Sequence, residues 1–185
     1  MRYNKISITK IFLLFIIGSI TISCAKKAIE NDYGDPTVFE DSIEQFEIAD
    51  KQFPPSSGAV VIYEGDNDIA QGIPPRKIIE SFTEVINKIH KQLQQCRIYF
   101  SSIKPSASRW NMWPKMVQTN KLIAEKCAND GRLIFVDVST AMLNEDGKPR
   151  DEIFLSDELH MNRAGYEIWT NILKPILIET ELRYE

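Results

Sequence analysis

Three short apolar runs limit what this chain can fold into: "AVVIYE" (59–64), "RIYFSS" (97–102) and "LIFVDVS" (133–139). Each is continuous rather than alternating, and each is rich in β-branched and aromatic residues. A strand with one face in water alternates apolar and polar residues, whereas a strand covered on both faces reads as an unbroken run. Helical patterns separate the runs. From Pro75, "PRKIIESFTEVINKIHKQLQ" places Ile78, Phe82, Val85, Ile86, Ile89 and Leu93 at steps of three and four, which is one helix face. A second helix is expected from about Pro114 to Ala128. A last one starts from Asn162, with Tyr166, Trp169 and Leu173 on one face and Pro175 kinking or ending it. This alternation predicts an α/β domain with a parallel sheet covered by helices on both faces. Only three strong strands are visible, few for such a domain, and they leave long edges to protect. In parallel sheets the active groups gather beyond the carboxyl ends of the strands, so the segments after each run are where chemistry is to be sought.

The first 23 residues read differently. Arg2, Lys5 and Lys10 precede the apolar run "IFLLFIIGSITI" with no acid among them. That run is short for a bilayer span but suits the core of an export signal. Small Ser23 stands directly before Cys24 and resembles a bacterial lipobox, although Thr21 departs from the usual Leu. Cleavage before Cys24 and lipidation of its sulfur are expected, which would place the protein in the cell envelope on a membrane anchor. The alternative is an ordinary cleaved signal with Cys24 incidental. Removing the segment leaves 19 basic and 26 acidic residues. No Lys/Arg cluster recurs, so a nucleic-acid partner is not expected. Residues 24–36 read as a polar tether, and a helical pattern through Val38, Phe39, Ile43, Phe46 and Ile48 opens a domain running over 37–185. Cys96 and Cys127 read as two buried thiols, with a disulfide as the alternative in an exported protein.

Two stretches at the expected active edge carry polar residues. "EGDNDIA" follows the first run with Gly65, Asp66, Asn67 and Asp68; the bland reading is a polar turn with Asp68 capping a short helix. A calcium loop is excluded, because Ala70 and Gly72 do not fit its spacing. Asp157 and His160 stand three apart before the last helix, where a carboxylate can orient an imidazole as a general base. Trp110 and Trp113, in the loop after the second run, are candidates for groove wall or for packing. His90 lies off the apolar stripe of its helix and reads as solvated.

Together these stretches resemble the SGNH (GDSL-type) hydrolases. Gly65-Asp66-Asn67-Asp68 resembles that family's G-x-N-D block, and Asp157-x-x-His160 its D-x-x-H block. "IYEGDNDIA", "SIKPSASRWNMWPKM" and "DELHMNRAGYEIW" resemble segments that occur together in a bacterial branch of esterases, and the resemblance covers residues 36 to 178. It implies a flavodoxin-like three-layer α/β/α fold and an activity on carboxylic esters, with a small-molecule or glycan ester as substrate and no cofactor or metal. His160 would be the general base, Asp157 would hold its tautomer, and the Asn67 side chain would bind the oxyanion.

The same resemblance exposes a gap. The family carries its serine nucleophile in a G-D-S block after the first strand and an oxyanion glycine in a second block. Here "GAVV" runs directly into "IYEGDND", as though two family strands were joined near residues 60–63 with everything between them absent. Ser56, Ser57, Ser101, Ser102 and Ser156 are poor substitutes by position. The expectation is an envelope-anchored relative, truncated to about three strands, with the base present and its nucleophile missing, and hence without normal esterase turnover. The alternative is a lipid-anchored binding or scaffold protein that reuses the fold. A weaker third reading is metal-dependent hydrolysis through Glu64, Asp66, Asp68 and His160.

Overall fold

The computed structural model describes residues 11–16, 22–24 and 58–181. The expected tether, the helical pattern around residues 37–52 and most of the export signal lie outside the described residues. The three runs form strands β3 (Ala59–Tyr63), β4 (Arg97–Ser101) and β5 (Leu133–Val136), all parallel and adjacent in that order. Two further strands come from the N-terminal segment. β1 (Ile11–Ile16) pairs in parallel with the outer edge of β3, in register Ile11 to Ala59, and β2 (Ile22–Cys24) pairs antiparallel with β1. The five-stranded order is β2-β1-β3-β4-β5. The apolar run read as an export-signal core thus also satisfies the exposed backbone groups of a sheet edge. A chain cut before Cys24 would keep neither of its two strands intact.

Helix α1 (Asp66–Ala70) is a single turn, followed by α2 (Pro75–Gln92), α3 (Trp113–Cys127) and α4 (Arg163–Glu181). Alternate residues of each strand point to opposite faces, and each face has its own core. On one, Val60, Ile62, Ile98, Phe100 and Leu133 pack against Phe82, Ile86 and Ile89 of α2 and Ile123 of α3. On the other, Ala59, Val61, Tyr63, Tyr99 and Val136 meet Trp169, Leu173 and Leu177 of α4. This is the three-layer α/β/α arrangement that the unbroken strands predicted.

Three local expectations need correction. Pro175 does not end the last helix, which continues to Glu181; Pro175 is exposed, so water can bond the carbonyl that loses its intrahelical donor. Asp68 lies inside α1 rather than capping it, and Gly65 takes the cap position. His90 is half-buried, its Nε2 lying 3.0 Å from the Cys96 carbonyl oxygen, because the helix ends there against the turn into β4. Cys96 and Cys127 are both buried and unpaired, within the same core.

Candidate active site

The turn after β3 must reverse direction within one residue of a buried strand, and only glycine suits it. Gly65 has φ 113°, and a Cβ there would meet Ile103 Cδ1 at 2.6 Å. Beyond it Asp66 accepts the backbone N–H of Asn67 on Oδ1 at 2.8 Å. Its Oδ2 faces two cations, Lys104 Nζ at 3.4 Å and Arg109 Nη1 at 3.3 Å. Asn67 stands half-buried on α1 at the carboxyl end of β3. Glu64, on the opposite side of the strand from Tyr63, is mostly buried. Burial, and then hydrogen bonding and repulsion from Asp68, push its carboxyl up to about 10, so it is protonated at neutral pH. The carboxylates invoked for a metal are therefore engaged with protein groups, Asp66 with Lys104 and Arg109, and Glu64 with Asp68.

After β4, Ser101 donates to the Ile62 carbonyl at 3.2 Å. Ser102 donates to Asp137 at 3.1 Å and accepts the N–H groups of Val138 and Ser139, both at 3.0 Å. These hydroxyls lock the strand ends together, and neither is hydrogen-bonded to His160. The next loop is held by Asn120 of α3, whose side chain pairs with the Ile103 backbone at 2.7 and 3.0 Å in the manner of a neighbouring strand. Trp110 and Trp113 stack with ring centres 5.8 Å apart, and Lys148 Nζ lies 5.3 Å from the Trp110 ring centre. Trp113 packs against the small core of Ile69, Ile78, Ile103 and Met116.

Asp157 and His160 do come together, on a turn rather than on the foot of a helix. The Leu155 N–H bonds the His160 carbonyl at 2.7 Å, and Glu158 adopts φ 55°. Asp157 Oδ1 accepts the N–H groups of Leu159 and His160 at 3.0 and 2.9 Å, and its Oδ2 lies 2.5 Å from His160 Nδ1. The bond to the imidazole, followed by the two backbone N–H groups, holds the Asp157 carboxyl far below the usual range. With Nδ1 engaged, Nε2 is the ring nitrogen left for a substrate or nucleophile. The imidazole is 70% exposed, so it is open to approach. Among the described residues no hydroxyl or thiol hydrogen-bonds it.

Contacts between loops bring these parts to one edge. Ser108 donates through its N–H and Oγ to the Glu158 carbonyl at 3.3 and 3.2 Å. The loop that carries Lys104 and Arg109 is thereby tied to the dyad turn. A cavity of about 330 Å³ opens beside that turn, lined by Ala107, Asp151, Phe154, Leu155, Ser156 and Glu158. Asn162 anchors the turn to α4: its Oδ1 accepts the N–H groups of Ala164 and Gly165, and its Nδ2 donates to Glu152 and Phe154 carbonyls. Lys104, Arg109, Asn120 and Asn162 are the site residues that sequence reasoning missed. Two cations in the otherwise apolar and small "SIKPSASRW" were the available signal for the first two.

Comparison with known proteins agrees with this fold. The GDSL-like lipase/acylhydrolase family profile matches residues 33–168. Among solved structures, the OSK domain of Drosophila Oskar aligns with TM-score 0.58 and 20% identity, over 67% of this chain and 63% of that one. A mutant acetyl esterase with acetate ion aligns with TM-score 0.58 and 19% identity, over 69% and 60%. A GDSL-like lipase from Bacteroides thetaiotaomicron aligns with TM-score 0.56 and 18% identity, over 74% and 71%. The chain thus spans less than two thirds of the first two of these proteins. No curated protein sequence matches it. With its match over residues 33–168, its three-layer sheet and its Asp157–His160 pair at the carboxyl edge, the chain belongs to the GDSL-like lipase/acylhydrolase family.

Proposed function

We propose that this protein is an envelope-anchored member of the acylhydrolase lineage that recognises carboxylic esters but does not turn them over as its relatives' chemistry requires. The observation that carries this reading is the exposed imidazole of His160, oriented by Asp157, with no hydroxyl or thiol on it among the described residues. Nucleophile and base must lie within hydrogen-bond reach for covalent catalysis. Ser101 and Ser102 are committed to the Ile62 carbonyl and to Asp137, and Ser156 is exposed on the far side of Asp157 in sequence. Asn67 would remain as an oxyanion donor, a group worth ~10²–10³ in rate where a nucleophile exists. The test is hydrolysis of 4-nitrophenyl acetate by the full chain and by His160→Ala. Equal rates, both at the level of water, are expected; turnover that vanishes with His160→Ala would overturn the reading.

A binding role is the second reading, and the cavity beside the dyad turn favours it. The anchor itself rests on Ser23-Cys24. It predicts incorporation of labelled palmitate that Cys24→Ala abolishes, and unlabelled wild-type chain would remove the anchor from the account.

A further inference from the structure

At the carboxyl edge of the sheet, buried donors outnumber the acceptors within their reach. Lys104 is 6% exposed, and among the described residues its ammonium has one hydrogen-bond partner, the Asp66 carboxylate at 3.4 Å. That is long for a charge-assisted bond. Arg109 Nη1, 3.3 Å from the same oxygen, is sheltered from solvent and completes no hydrogen bond of normal geometry. Neither does the Tyr63 hydroxyl, which is buried beside the same carboxylate. One carboxylate therefore serves two cations and lies beside a phenol. Folded proteins rarely leave several buried donors together without acceptors.

Lys104 and Arg109 both turn to Asp66, and burial works against the Lys104 ammonium while the charge of Asp66, and more weakly that of Asp157, supports it. The cluster is not sealed, because the Arg109 and Asp66 side chains are 17% and 12% exposed. It also faces the dyad, since Lys104 lies close enough to Asp157 to feel its charge and its loop is bonded to the dyad turn through Ser108.

We propose that Tyr63, Lys104 and Arg109 form a binding site for a small monocarboxylate, whose two oxygens accept the donors that Asp66 leaves idle. A planar pair of oxygens fits a guanidinium beside an ammonium. That the carboxylate is the acid part of an ester ligand rests on the functional reading above; the site itself does not.

The probe is sodium acetate, titrated into the full chain against sodium chloride at constant ionic strength and followed by amide NMR shifts. Saturable millimolar binding is expected, with shifts centred on residues 63–68 and 103–110. Arg109→Gln should weaken it about tenfold with the fold intact by circular dichroism, and Lys104→Met should abolish it. Should Lys104→Met fail to fold, Lys104→Arg, which keeps the charge, should retain part of the affinity. Absence of saturable acetate binding would overturn the site, and inorganic phosphate binding as tightly as acetate would overturn the carboxylate assignment. Esterase turnover dependent on His160 would overturn the functional reading and leave the site standing, so the two fail separately.

Discussion

Single residues at this edge divide into those that shape the backbone and those that carry chemistry, and stability measurements should separate them. Gly65 combines a left-handed φ with a side-chain position already filled by Ile103. Gly65→Ala should therefore cost about 2–3 kcal/mol in urea unfolding, from backbone strain and a forced shift of a packed side chain. Gly72, with φ 84° and open space around it, should cost about 1 kcal/mol on the same change. Equal costs would show that Ile103 yields freely. His160 is mostly exposed, and His160→Ala should change stability by less than about 0.5 kcal/mol. Glu64 gives the account its pH dependence. Its carboxyl titrates near 4.5 when unperturbed and is held up to about 10 in the folded chain. Between those values the folded state keeps a proton that the unfolded chain has released, so this group's contribution to stability falls as pH rises above about 4.5. Glu64→Gln removes that loss: its Tm should exceed that of the parent by a few degrees at pH 8 and match it near pH 4. A variant whose Tm follows the parent's at both pH values would contradict the buried, protonated assignment.

At the scale of elements, the strands and helices were legible in the sequence because burial on two faces leaves an unbroken apolar run and burial on one helix face leaves a 3.6-residue period. Ile78, Phe82, Ile86 and Ile89 are buried as that period requires. What could not be read was anything set by a polar side chain reaching across sequence. Asn120 is one of several polar residues on α3, and nothing local marks it as the partner of Ile103, 17 residues earlier. Asn162, which caps α4, lies only two residues beyond His160, so the dyad turn runs directly into the helix start expected there. Asn120→Ala leaves a buried N–H and C=O of Ile103 without partners and should cost about 2–4 kcal/mol, whereas a loss under 1 kcal/mol would mean that water replaces the side chain. At the other end of the sheet, Arg97 makes a two-point ion pair with Glu181 of α4, and the Tyr99 hydroxyl donates to Glu181 at 2.7 Å. This mostly buried clasp fixes the end of the last helix. Glu181→Ala removes both carboxylate oxygens from the Arg97 guanidinium and the acceptor of the Tyr99 hydroxyl, and should cost about 3 kcal/mol, read by the same unfolding curves.

For the molecule as a whole, the Asp157–His160 pair stands at the carboxyl edge of a sheet whose edge beyond β3 is filled by the N-terminal run. The parallel sheet, its two covering layers and the location of the dyad at its carboxyl edge were foreseeable from pattern and motif. The pairing of Ile11–Ile16 with β3 was not, because the same apolar run reads in sequence as the core of an export signal. In a chain processed before Cys24, the outer edge of β3 would need another cover. Among the described residues His160 has Asp157 to orient it and no hydroxyl or thiol bonded to it to activate. Incubation of the full chain with a fluorophosphonate, followed by intact-mass and peptide mass spectrometry, asks whether any serine serves as its nucleophile. No adduct is expected; a stoichiometric adduct on one serine, lost in His160→Ala, would overturn the proposed function.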